Sequence, residues 1–204
     1  VGVGESTLGK INSWLNLLGI KDKDFMPYTD ASYKLSIRFE DFYKKGDGGF
    51  HYPFGVPYEN NLTELKQNWF FKNAENKDYA DFISPNMALV NNNRIADKNV
   101  FDEGLYSFKN DVAYHFDATK FGKWLKENYC IPKGVNHIND FIQTMNYEDS
   151  GIVELIGEKS KYTADLYIDC TGFGAKMIQK TGSTFMDYSD LLPNNKAWAT
   201  RVPY

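Results

Sequence analysis

A chain of 204 residues, 42% hydrophobic and 16% aromatic, is long and apolar enough to bury a sizeable core within one domain or one and a half. Its 23 basic and 27 acidic residues leave a net charge of −4, and with no basic block among them nucleic acid and anionic membrane are excluded as natural partners. No apolar run approaches the roughly 20 residues of a membrane span, and no charged leader precedes an apolar core, so a soluble, cytoplasmic protein is expected.

The first segment, VGVGEST (1–7), puts Gly2 and Gly4 directly before TLGKINSWLNLL (7–18). There Leu8, Ile11, Trp14, Leu15 and Leu18 recur at helical spacing until Gly19 stops them. Ser6 or Thr7 is expected to cap the first turn. A glycine loop feeding a helix N-terminus offers unpaired N–H groups to an anionic or electron-rich ligand, although helix entry alone needs only the cap.

Next, SYKLSIRFEDF (32–42) alternates Tyr33, Leu35, Ile37 and Phe39 with Lys34, Ser36, Arg38 and Glu40, the pattern of one strand with a single buried face and Lys34 on the polar side. The glycines of KKGDGGFHYPFG (44–55) predict a turn and its aromatics a second strand. Residues 58–110 have little periodicity apart from a predicted helix over Glu64–Ala74, and such a lobe suits a ligand cover. Asp117 then caps a helix whose apolar face is Phe121, Trp124 and Leu125.

Residues 135–145 and 151–158 read as paired strands around the turn YEDSG, and YTADLYIDCTGF (162–173) reads as an apolar strand ending at Asp169, Cys170, Thr171 and Gly172. A helix, a meander and a strand that stops in small residues is the order of dinucleotide-binding α/β folds, where ligands sit at strand carboxyl ends. Cys130 and Cys170 lack metal or redox spacing and read as buried free thiols of a reducing compartment. His51, His115 and His137 are scattered, so no metal site is expected.

Four stretches together, VGVGEST, ASYKLSIRF, GFHYPFG, and YHFDATKFGKWL with ADLYIDCTGF, resemble the flavin-dependent tryptophan halogenase family in order and spacing over most of the chain. The resemblance implies a partial FAD-binding, Rossmann-like α/β domain of the flavoprotein monooxygenase type (1–45 and 111–180) with part of an aromatic-substrate lobe (46–110 and 181–204). It implies an enzyme that uses reduced FAD from a separate flavin reductase, with O2 and chloride or bromide, to halogenate an electron-rich, indole-like aromatic substrate. A hydroxylating flavin monooxygenase, and an inactive relic or binding module, are the alternatives. In the family a strand and a GxGxxG turn precede the segment like VGVGEST, while a WxWxIP segment, a second catalytic Glu and a halide-binding stretch follow. These residues contain none of those, so they are expected to be a fragment, inactive and unable to bind FAD alone.

By the same resemblance Lys34 is the catalytic lysine that holds hypohalous acid, where the residue pattern alone allows an ordinary strand lysine. Val3, Glu5 and Ser6 match the flavin strap. Asp169 and Gly172 fall near the pyrophosphate, and Ile142 falls on the adenine-side strand or, equally, in a core. Phe54 matches an aromatic residue that stacks on the substrate, although core packing explains it as well. Tyr52 occupies the slot where the family often has His, a departure that bears on the choice of substrate.

Overall fold

The computed structural model describes residues 5–55, 79–96 and 111–198 other than 194 and 197. The predicted helix at Glu64–Ala74 and the glycine loop up to Gly4 lie outside them. The chain forms two compact units, one up to Lys133 and the other Gly134–Trp198. Helices and sheets mix in the α/β manner the sequence suggests.

In the first unit a three-stranded antiparallel sheet has β5 (Ala113–Phe116) at its centre, flanked by β1 (Glu5–Ser6) and β2 (Ser32–Lys34). The helix α1 (Ile11–Leu18) starts later than its periodicity suggests, and neither Ser6 nor Thr7 caps it. Thr7 is instead spent on the sheet: its hydroxyl donates to the Tyr114 carbonyl at 3.1 Å and accepts from the Tyr114 N–H at 2.9 Å. A side chain that brackets a buried peptide this way cannot also reach a helix turn. Gly19 does end the helix, at φ 71° in the left-handed region.

Residues 32–42 form two strands. At Leu35 the chain leaves β5 and pairs as β3 (Ser36–Glu40) with β4 (Gly49–Pro53) in a hairpin. Strand parity therefore fails across the break, because Lys34 and Leu35 are neighbours in sequence yet both buried.

The core packs Leu15, Ile20, Phe25, Tyr114, Phe116, Phe121 and Trp124 together, with Phe25, the last residue of α2 (Asp22–Phe25), edge-on to Tyr114 and Phe121 at 5.5 and 5.3 Å. Phe121 and Trp124 come from α5 (Ala118–Trp124), which Asp117 caps through the Lys120 N–H at 3.0 Å. Two short helices, α3 (Tyr79–Ile83) and α4 (Pro85–Asn91), support the end of the hairpin.

The second unit is a meander of β6 (Ile142–Glu148), β7 (Gly151–Gly157) and β8 (Lys161–Tyr162). The turn between β6 and β7 is where YEDSG predicts it. The strand expected over 162–173 is not formed beyond Tyr162: Leu166 and Ile168 are each 75% exposed, and no neighbouring strand among the described residues pairs with them. A strand is defined by its ladder, so an apolar run without a partner stays extended and unpaired. The thiols also differ from expectation, Cys130 being half-buried and Cys170 exposed. Among the described residues no helix is long and apolar enough to cross a membrane.

Candidate active site

Lys34 ends β2 where the chain turns from one sheet to the next, and it is only 8% exposed. Its Nζ donates to the Ser6 hydroxyl at 2.8 Å and to the Thr7 carbonyl at 3.2 Å. It also stands over the Phe54 ring, 5.2 Å from the centroid, within cation–π range. No carboxylate within ion-pair distance of the amine is found among the described residues. Burial without such a partner disfavours the ammonium and holds the Lys34 pKa below the usual lysine value.

A cavity of about 440 Å³ runs along residues 32–36, Lys34 among them, and is bordered by Leu89, Val90, Arg94 and His115, whereas Ser6, Thr7 and Phe54, which the amine touches, are not in its lining. Its described lining holds cationic and neutral side chains and no acidic one. His115 sits across from Ser6 and Ser32 in register, and its pKa is lowered, first by burial and then by the positive charge of Lys34. Its neutral form is favoured. His51 lies half-buried on β4, its Nδ1 2.9 Å from the Ser36 hydroxyl. Tyr52, its neighbour, is 62% exposed.

Phe54 is fixed from behind. Its N–H donates to the Leu35 carbonyl at 2.9 Å, and its own carbonyl accepts from the Asn86 amide at 3.0 Å. The same Asn86 nitrogen reaches the Asp111 carbonyl at 2.9 Å and the Leu35 carbonyl at 3.4 Å. One amide group, 1% exposed, thus ties together the three main-chain segments that flank Lys34. Sequence reasoning misses it, since a single Asn in PNMALVN carries no signal beyond being polar on a short apolar helix. Gly55 packs so closely on the Asp111 side chain, at φ 94°, that a Cβ would collide with the carboxylate.

Of the residues matched to the cofactor, Val3 is outside the described residues and Glu5 is described through its main chain, paired with Phe116. In the second unit Ile142 opens β6, half-buried opposite Gly157. Both Asp169 oxygens are taken within their own loop: one accepts from the Thr171 N–H and hydroxyl at 2.9 and 2.7 Å, the other from the Met177 and Ile178 N–H groups at 2.9 and 3.1 Å. These bonds hold its pKa well below the usual carboxylate range, the Thr171 hydroxyl foremost. Gly172 follows at φ 63° with open space where a side chain would begin, so its bare main chain is approachable.

The whole chain, residues 1–204, matches the family model described as tryptophan halogenase. The chain belongs to the tryptophan halogenase family. It is 31% identical over 232 residues to the 7-chloro-L-tryptophan 6-halogenase KtzR of Kutzneria sp. (strain 744), an alignment that covers 100% of this chain and 43% of the relative. Among solved structures, VirX1 in its apo form superposes with a TM-score of 0.80 at 35% identity, covering 93% of this chain and 39% of that one. BrvH, a flavin-dependent halogenase from Brevundimonas sp. BAL3, gives 0.80 at 26% identity, covering 94% and 40%. The chain therefore has the α/β fold of this part of the flavin-dependent halogenases, and it spans about two fifths of the length of the relatives it matches.

Proposed function

We propose that the protein is a flavin-dependent halogenase acting on an electron-rich, indole-like aromatic substrate, with Lys34 as the catalytic residue that holds and delivers hypohalous acid. The observation that carries this is the state of Lys34: its amine is buried without a carboxylate partner among the described residues, and the lysine lines a cavity whose described lining has no acidic group. An ion-paired lysine would be locked as ammonium. This one can donate a hydrogen bond to an oxygen or, once deprotonated, offer its lone pair to an electrophilic halogen.

Reduced FAD, when bound, supplies with oxygen the oxidising power that turns chloride or bromide into hypohalous acid, and a separate flavin reductase would deliver it. On the chain's side, family membership is the ground for assigning Val3 and Glu5 to flavin contact and, in the second unit, Ile142 and Gly172 to the nucleotide half of FAD. Asp169 shapes the turn at Gly172 through its four loop bonds. The Phe54 ring, buried at 8% exposure, keeps the amine oriented from one side, which is the packing role rather than an open stacking surface. Tyr52, exposed on the hairpin, remains available to a substrate that reaches over it.

The test is product analysis with the full-length protein, FAD, a reductase and either chloride or bromide. Halogenated indole-type product that vanishes in Lys34→Ala, with FAD affinity retained, is the expected result. Product at near wild-type rate from Lys34→Ala would overturn the assignment, and oxygenated product formed without halide would transfer the protein to the hydroxylases.

A further inference from the structure

An amine that must aim at a small electrophile needs its direction set by something other than its own four-carbon stem, which has many rotamers. Two acceptors could do so here, the Thr7 carbonyl and the Ser6 hydroxyl. The carbonyl is main chain, so its position is set by β1 and by the Thr7 bonds to Tyr114. The hydroxyl is a choice of sequence. Ser6, on β1, pairs in register with His115 of β5, and the amine reaches it at 2.8 Å, the shorter of the two bonds.

We propose that Ser6 is a positioning residue for halogen transfer: its hydroxyl fixes the Lys34 amine, and only the main chain of its segment is left to the flavin. This rests on the halogenase reading for its meaning and on the Ser6–Lys34 geometry for its existence. An ammonium has three N–H groups. With two of them held by Ser6 and Thr7 and the Phe54 ring flanking the nitrogen, one N–H, or one lone pair after proton loss, is left for the reacting oxygen or halogen. The neutral amine keeps two N–H groups, which Ser6 and Thr7 continue to accept, so the nitrogen stays in place through a proton transfer with its lone pair free.

The charged and titratable groups on the neighbouring segments are His115 on β5, Arg94 beyond α4, and Asp111, whose carboxylate packs against Gly55, one residue after Phe54. Burial disfavours the ammonium, whereas Ser6 and Thr7 favour it as acceptors. Loss of the Ser6 oxygen therefore moves the Lys34 titration downward.

The experiment follows acetylation of Lys34 by acetic anhydride as a function of pH, read by mass spectrometry of its peptide, in the full-length wild-type protein, Ser6→Ala and Ser6→Thr. Expected are a fall of about half to one unit in the apparent Lys34 pKa in Ser6→Ala and a wild-type titration in Ser6→Thr, which keeps the hydroxyl. Turnover should drop about tenfold in Ser6→Ala with KM for the aromatic substrate and FAD affinity unchanged, as loss of aim predicts. An unshifted titration in Ser6→Ala overturns the proposal, as does failure of Ser6→Thr to restore it. A tenfold loss of FAD affinity in Ser6→Ala also overturns it, by returning the hydroxyl to the flavin. A shifted titration in a wild-type protein that makes no halogenated product supports the positioning role and overturns only the halogenase reading.

Discussion

Replacing Asn86 with Ala tests whether the Lys34 site is held by one buried amide. The side-chain nitrogen serves the carbonyls of Asp111, Phe54 and Leu35 at 2.9, 3.0 and 3.4 Å. Leu35 also accepts from the Phe54 N–H, so its oxygen keeps a partner when Asn86 is truncated. The Phe54 and Asp111 carbonyls each lose this donor in a region closed to water, at about 1–3 kcal/mol per buried acceptor. The Asn86 oxygen has no hydrogen-bond partner among the described residues, so its removal returns part of that cost. The net expectation is a loss of about 3 kcal/mol in unfolding free energy, measured by urea denaturation with tryptophan fluorescence at an unchanged m-value. Asn86→Asp should be worse than Asn86→Ala, since it turns both donors into an oxygen facing carbonyls. A cost under about 1 kcal/mol for Ala, or an Asp variant as stable as Ala, would show that the amide does not bear on these segments.

Lys34→Met should stabilise the protein at neutral pH while abolishing product, because it keeps the buried stem and removes the charge; matched melting and turnover measurements check both. Burial holds the Lys34 pKa below its unfolded value of about 10.4, so between the two values the unfolded chain binds the extra proton and stability rises with pH, the penalty being complete below the folded value. That slope should vanish in Lys34→Met. Thr7→Val removes both side-chain bonds to the Tyr114 peptide and should cost about 2 kcal/mol by thermal unfolding. In Gly157→Ala the new methyl would meet the Asp140 carboxylate, which is pinned by the Tyr162 hydroxyl at 2.6 Å and the Phe141 and Lys159 N–H groups, so hydrogen exchange should accelerate locally over 158–162.

Much of the fold was legible where a local rule had no competitor. Asp117 caps its helix, Gly19 ends another, and the turn between the two long strands falls at YEDSG, because each needs only residues a few positions apart. The first-turn cap failed for the opposite reason: Ser6 and Thr7 are good caps, but a lysine and a buried peptide 28 and 107 residues away claim their hydroxyls. The long strand over 162–173 failed because apolar alternation describes a face and not a partner. Cys170 is exposed in that same segment.

What the sequence determined by itself is the order of local elements, the absence of a basic face, and, through its resemblance, the family and the lysine to examine. What only the tertiary structure decided is the condition of that lysine. Alternation puts Lys34 on the polar side of a strand, yet the chain changes sheets at Leu35, so Lys34 and Leu35 are buried together although a single strand would point them apart. Its hydrogen-bond partners lie 27 and 28 residues away, and the Asn86 that secures Phe54 comes from a third segment. Contacts across such separations follow from how strands pair and helices dock, which no pattern along the chain encodes, and they turn an ordinary lysine into a desolvated amine held by Ser6 and Thr7.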